Sequence, residues 1–271
     1  MKHFNQIIAS VLLASVASLA SAATVRVDFD ASLFDTRHDN GYDGGVTVKY
    51  PGGSSKVDVG LFSGSLSKLN GVASSVFVST GDFYAYCYDM YETVHGGGKV
   101  TYAVNMTGET SRTLDFLGAV NYKLSLDRGV YDPYAWLNPS NGAMGAAIQL
   151  GIWESLYDTS SNWSNGSGTF RATAGVASAT SSWLSAFYKA LNVSDALDGR
   201  YVMTLTAAGA QDLITGARPA PVPPVLPPVE ILPVVDVPVE APPAGEVPEP
   251  ASLALVGLAL AGLVAARRRK A

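Results

Sequence analysis

From Thr24 the chain alternates. Val25, Val27 and Phe29 are apolar, while Arg26, Asp28 and Asp30 between them are polar. Period-two alternation puts successive side chains on opposite faces and predicts a half-buried strand. Strands are also predicted over Val46–Tyr50 and Val57–Phe62, with Pro51-Gly52-Gly53 turning between them. Val76–Tyr88 is apolar or alternating and ends in the run Phe83-Tyr84-Ala85-Tyr86-Cys87-Tyr88, which suits a pleated surface against a core. A turn at His95–Gly98 precedes a strand over Lys99–Asn105, and Arg200–Ala207 closes the pattern as a strand. The period changes in three places. Leu114, Leu117, Val120 and Leu124 recur at helical spacing, and Ser181–Leu191 reads as a short helix with Trp183, Leu184, Phe187 and Leu191 on one face. Gly142–Tyr157 is the clearest helix, with Asn141 as its N-cap. It is apolar on most sides, so it is expected to be buried. The prediction is an α+β, β-rich domain over residues 23–216, a twisted β-sandwich or barrel with a few helices packed at one side.

The two ends follow other rules. Residues 1–22 read as a signal peptide: Lys2 and His3, an apolar run from Ile7 to Leu19, then the small-x-small site Ala20-Ser21-Ala22. Residues 217–247 are dominated by proline, lack aromatics and cannot build a core, which predicts an extended polyproline-II linker. Residues 248–271 hold Pro248-Glu249-Pro250, an apolar run over residues 251–266 predicted as a single membrane helix, and the basic tail Arg267-Arg268-Arg269-Lys270. This order at the C-terminus resembles the PEP-CTERM sorting signal. The resemblance implies recognition by exosortase, a membrane protease-transferase of Gram-negative bacteria that make extracellular polysaccharide. It also implies membrane anchoring by the helix, cleavage near Pro248–Pro250, and delivery to the cell surface or extracellular matrix.

Composition narrows the chemistry. With 271 residues and 48% hydrophobic content, a sizeable core is available. A net charge of -5 without a basic face argues against nucleic acid. A single cysteine excludes a disulfide scaffold and a Cys-rich zinc site. Three histidines, one in the signal peptide, argue against a histidine metal cluster, and no cofactor is expected. Asp35, Asp39, Asn40 and Asp43 are clustered oxygen donors, but their spacing is not that of a calcium loop and a solvated turn is the plainer reading.

Cys87 is an unpaired thiol in an exported chain. Tyr86-Cys87-Tyr88-Asp89 and Gln149-Leu150-Gly151-Ile152-Trp153-Glu154 resemble the two signatures of Cys–Gln thioester domains in bacterial surface proteins. In that family an aromatic residue precedes the cysteine, and a glutamine is followed by any residue, a small residue, an aliphatic residue and tryptophan. The family's cysteine corresponds to Cys87, its glutamine to Gln149 and its tryptophan to Trp153. Ile148 stands where the family commonly has threonine, and Gly151 where it usually has alanine. The resemblance implies an internal thioester and its single-turnover attack by an amine or hydroxyl on a surface or matrix partner, which is adhesion chemistry rather than enzymatic turnover. Asp89, Glu92, Tyr84 and Tyr86 are candidate proton-handling or shielding neighbours.

Two other readings stay open. One is a non-covalent β-sandwich that binds or structures exopolysaccharide, with Cys87 a bystander and Trp136 and Trp163 as sugar-stacking platforms. The other is a hydrolase. It lacks a Gly-x-Ser-x-Gly elbow and has only His38 and His95 in the mature domain.

Overall fold

A computed structural model describes residues 22–37, 41–160 and 162–220. Nearly all of the expected signal peptide, most of the expected linker, and the segment 248–271 with its expected membrane helix lie outside the described residues. Among the described residues, no helix is long and apolar enough to cross a membrane.

The strands, in chain order, begin with β1 (Thr24–Phe34), β2 (Tyr42–Tyr50), β3 (Gly53–Gly60) and β4 (Phe62–Asn70). β5 (Phe83–Cys87) and β6 (Lys99–Asn105) follow, then helices α1 (Ser111–Arg128) and α2 (Gly142–Tyr157). The chain closes with β7 (Arg171–Ala174), α3 (Ser178–Ala190), β8 (Val202–Ala207) and β9 (Ala210–Gly216). Six strands form a closed antiparallel barrel in the order β1-β4-β5-β9-β8-β6, and β3-β2-β7 form a separate sheet. The β-rich expectation therefore resolves into a barrel.

Alternation sets the barrel's interior. Val25, Val27 and Phe29 of β1 are buried, and their polar neighbours are half-exposed. β1 pairs with β4 on one side and β6 on the other, with a register shift between Phe29 and Phe34 that bends the strand. The three helices pack beside the sheets. α1 is capped by Thr110, whose hydroxyl accepts from the Thr113 N–H at 3.1 Å. It ends at Gly129, where φ of 72° suits a residue without a Cβ. α2 starts as expected at Asn141, whose Oδ1 accepts from the Met144 N–H at 2.8 Å. It packs against β2, β3, α1 and α3, so it is covered on most sides. Ala146, Ala147, Ile148, Leu150 and Ile152 are all fully buried. Each large one contributes about 1.5–3 kcal/mol by leaving water.

Several boundaries differ from the pattern-based ones. The Val76–Tyr88 run is a strand only over β5; a short 3₁₀ turn at Ser74–Val76 and irregular backbone precede it. The strand expected over Val57–Phe62 is divided between β3 and β4. Backbone pairing also runs past Gly216: Ala217 bridges Phe77, and the Arg218 N–H donates to the Val76 carbonyl at 2.7 Å.

Candidate functional site

Cys87 is the last residue of β5, at the point where the barrel loses a rung. β4 pairs with β5 only as far as Phe62 opposite Ala85, whereas β9 continues on the other side with Leu213 opposite Cys87. The Tyr88 N–H donates to the Asp212 carbonyl of β9. In an antiparallel ladder the neighbouring residue's groups point the opposite way, so the Cys87 N–H and C=O face the gap left by β4. Buried and unpaired, such groups would be costly.

Gln149, in the third turn of α2, fills that gap. Its Oε1 accepts from the Cys87 N–H at 2.8 Å, and its Nε2 donates to the Cys87 carbonyl at 2.9 Å. The carboxamide thus lies against the cysteine as a strand would, and it is fully buried. The two motif residues, 62 apart in the chain, are brought together. Cys87 is a free thiol, 4% exposed. Burial pushes its pKa well up, and the nearby Asp89 carboxylate pushes the same way, so the sulfur holds its proton.

The remaining motif residues build the surroundings. Tyr86 stacks on Trp136 with ring centroids 5.9 Å apart, and its hydroxyl donates to the Trp136 carbonyl. The Tyr88 hydroxyl accepts from the Thr110 N–H at 2.9 Å and so ties the start of α1 to β5. Asp89 Oδ1 accepts from the Tyr91 and Glu92 N–H groups, and its Oδ2 accepts from Asp212 N–H, which fixes the loop after β5. Asp89, Glu92 and Asp212 bring carboxylate oxygens within 4.8 Å of one another. Burial raises the Asp212 pKa, and the charges of the other two add to it. Backbone N–H groups of Ala207 and Gly209 already occupy Asp212 and Glu92 oxygens, so the trio ties loops together.

Trp153 follows Gln149 by one helical turn and lies on the same face of α2. It is 2% exposed, and its Nε1–H has no hydrogen-bond partner. Trp153 and Cys87 together line a cleft of about 340 Å³ that opens between β3 and the loop after β5, with Met90 and Glu92 on that loop.

Sequence reasoning did not single out the site behind Trp153. Glu154 is fully buried, and burial lifts its pKa to about 7; Asp158 adds to the rise, while the Ser164 N–H and Arg112 oppose it. The Arg112 guanidinium lies 3.9 Å from the centre of the Trp163 ring, with Nη2 4.0 Å from Glu154 Oε1. The signal was present: Glu154 is the only charge between Gly142 and Tyr157.

The platforms named for the sugar-binding alternative fail. Trp136 is fully buried, and Trp163 is half-buried with its ring stacked on Phe116 and covered by Arg112, so neither is a sugar-stacking platform. Asp35, read as part of a solvated turn, is buried, and both it and Asp43 are held by protein groups. Asp35 pairs with Arg37 at 2.8 Å, and Asp43 accepts from Thr180 and from the Ala177 N–H at the start of α3. Asp39 and Asn40 lie outside the described residues.

Comparison with curated proteins and with solved structures gives no match. A family model described as the PEP-CTERM protein-sorting motif matches residues 246–270, which include Pro248, Glu249, Pro250, Arg267, Arg268 and Arg269. The chain therefore carries a PEP-CTERM sorting motif, which implies an exported protein sorted by exosortase.

Proposed function

We propose that this exported protein holds an internal thioester between Cys87 and Gln149 and uses it once, to attach itself covalently to a nucleophile on a surface or matrix partner. The observation that supports this reading is the reciprocal pairing of the Gln149 carboxamide with the Cys87 backbone, which holds the acyl carbon beside the cysteine. In the forming step, Cys87 Sγ attacks the Gln149 side-chain carbonyl carbon. The C–S bond forms and the C–N bond breaks. The thiol proton passes to the departing amine, which leaves as ammonia. The Cys87 N–H, 2.8 Å from Oε1, faces the oxygen on which negative charge develops. Burial of Gln149 shields the product from water. In the capture step, an amine or hydroxyl on the partner attacks the same carbon, an amide or ester forms, and the sulfur departs with the nucleophile's proton. The sorting tail supplies delivery: anchoring by the 251–266 segment, cleavage near Pro248–Pro250, and a final place at the cell surface or in the matrix of a Gram-negative bacterium.

The test is the intact mass of the purified chain. It should be one ammonia lighter than the sequence and resist thiol alkylation. It should take up one methylamine as one free thiol appears. Cys87→Ala and Gln149→Ala should each abolish both behaviours.

A second reading has its own support. Both polar ends of the Gln149 carboxamide are satisfied as they stand, so Gln149 also serves simply as a replacement for the missing β4 rung in a non-covalent matrix domain. A native mass equal to the sequence, with no methylamine uptake, would select that reading.

A further inference from the structure

We propose that the partner docks as an extended polypeptide strand along the free edge of β3, and that this edge guides its nucleophile to Cys87. Docking rests on the cleft alone. The covalent step that follows rests on the thioester reading.

The argument starts from the outer edge of the small sheet. Its order is β3-β2-β7, so among the described residues β3 has β2 on one side and no strand on the other. Alternate N–H and C=O groups along that side are therefore unpaired within the sheet. Ser55, Lys56, Val57 and Asp58 all line the cleft that reaches Cys87. Successive side chains of a strand point to opposite faces, and here Ser55 and Val57 are half-buried while Lys56 and Asp58 are exposed. Four consecutive residues line one cleft only where it runs along the strand's edge rather than over a face. The cleft is thus a groove with a row of backbone donors and acceptors along one wall and the cysteine in its lining.

The groove's lining also carries a donor with nothing to bind. Trp153 lines the cleft with Cys87, and its buried Nε1–H has no partner among the described residues. A buried donor without an acceptor is unfavourable unless a ligand supplies one. A polypeptide added to β3 offers a carbonyl at every residue, enough to pair the strand edge and leave one for the indole. Backbone pairing of this kind gives affinity with little demand on the partner's sequence. A saccharide or a small polyamine offers no matching ladder.

The experiment uses the full-length chain in detergent and four probes at equal concentration: methylamine, glucosamine, a lysine-centred heptapeptide of alternating valine and threonine, and the same peptide N-methylated along its backbone. Adduct formation is followed by intact mass. The plain peptide should react at least about tenfold faster than its N-methylated form, since two or more backbone hydrogen bonds separate them. Equal rates for the two peptides, or a glucosamine rate matching the plain peptide, would overturn the docking proposal. No adduct from any amine would defeat the thioester reading alone. Docking is then decided in the Cys87→Ala chain by fluorescence anisotropy of labelled peptides. There the plain peptide should bind, the N-methylated one should not, and Trp153→Phe should weaken the plain peptide about tenfold. Absence of binding, or equal binding of both peptides, overturns it.

Discussion

A methyl group at position 151 would overlap the ring of Phe116, which packs against α2 from α1. The thioester motif that this stretch resembles usually has alanine there; in this chain the space belongs to an aromatic ring, and glycine is what fits. Gly151→Ala is therefore expected to cost about 1–3 kcal/mol by overpacking, although alanine is the better helix former. Phe116→Leu in the same chain should recover part of the loss. Urea melts of the single and double variants check this. Three residues along the helix, Glu154 carries a pH dependence. Its carboxyl pKa rises from 4.5 to about 7 on folding, mainly by burial. Below pH 4.5 it is protonated in both states and contributes nothing adverse. Between pH 4.5 and about 7 the unfolded chain has released the proton while the buried carboxyl of the folded chain keeps it, so stability falls across that window and levels off above it. The full penalty is about 3 kcal/mol. Glu154→Gln should remove it, so the variant should gain on the parent between pH 4.5 and pH 8 and match it in slope above. Denaturant midpoints across that range are the measurement.

At the scale of elements, the site comes from a mismatch in strand length. β5 outlasts β4, and a glutamine from α2 completes the rung. Gln149→Ala should leave two buried backbone groups unpaired and cost about 2–5 kcal/mol, well beyond the effect of Cys87→Ala, which keeps the backbone pairing. Equal losses in the two variants would deny the glutamine this structural role. How much was legible follows from the same elements. α2 is apolar enough for its limits and its cap to be read from residue types, and the two short motifs named Cys87 and Gln149. β4 was not legible: Phe62-Ser63-Gly64-Ser65-Leu66-Ser67-Lys68 has serines and a glycine where strand formers are sought, and long-range pairing with β1 overrides that local preference. β9 reads as a polar stretch around Gln211 and Asp212, yet β5 and β8 hold it on both sides. The cleft was not legible either. It depends on which side of β3 is left open, and sheet order decides that.

For the whole molecule, residue pattern narrowed the shape without choosing it. Alternation pointed to a sandwich or a barrel without choosing between them; closure depends on β6 reaching both β1 and β8. The last barrel strand, β9, lies directly beside the cysteine-bearing β5, and the chain leaves the barrel through Ala217 and Arg218 towards the proline-rich segment. A pull on the chain beyond Arg218 enters the domain at the end of β9, and one directed along that strand acts on its axis. The hydrogen bonds to β5 and β8 run across that axis. They are loaded together, in shear, rather than peeled one after another. The geometry that seats Cys87 also sets the exit strand in shear, so tension applied along β9 is borne by the barrel wall.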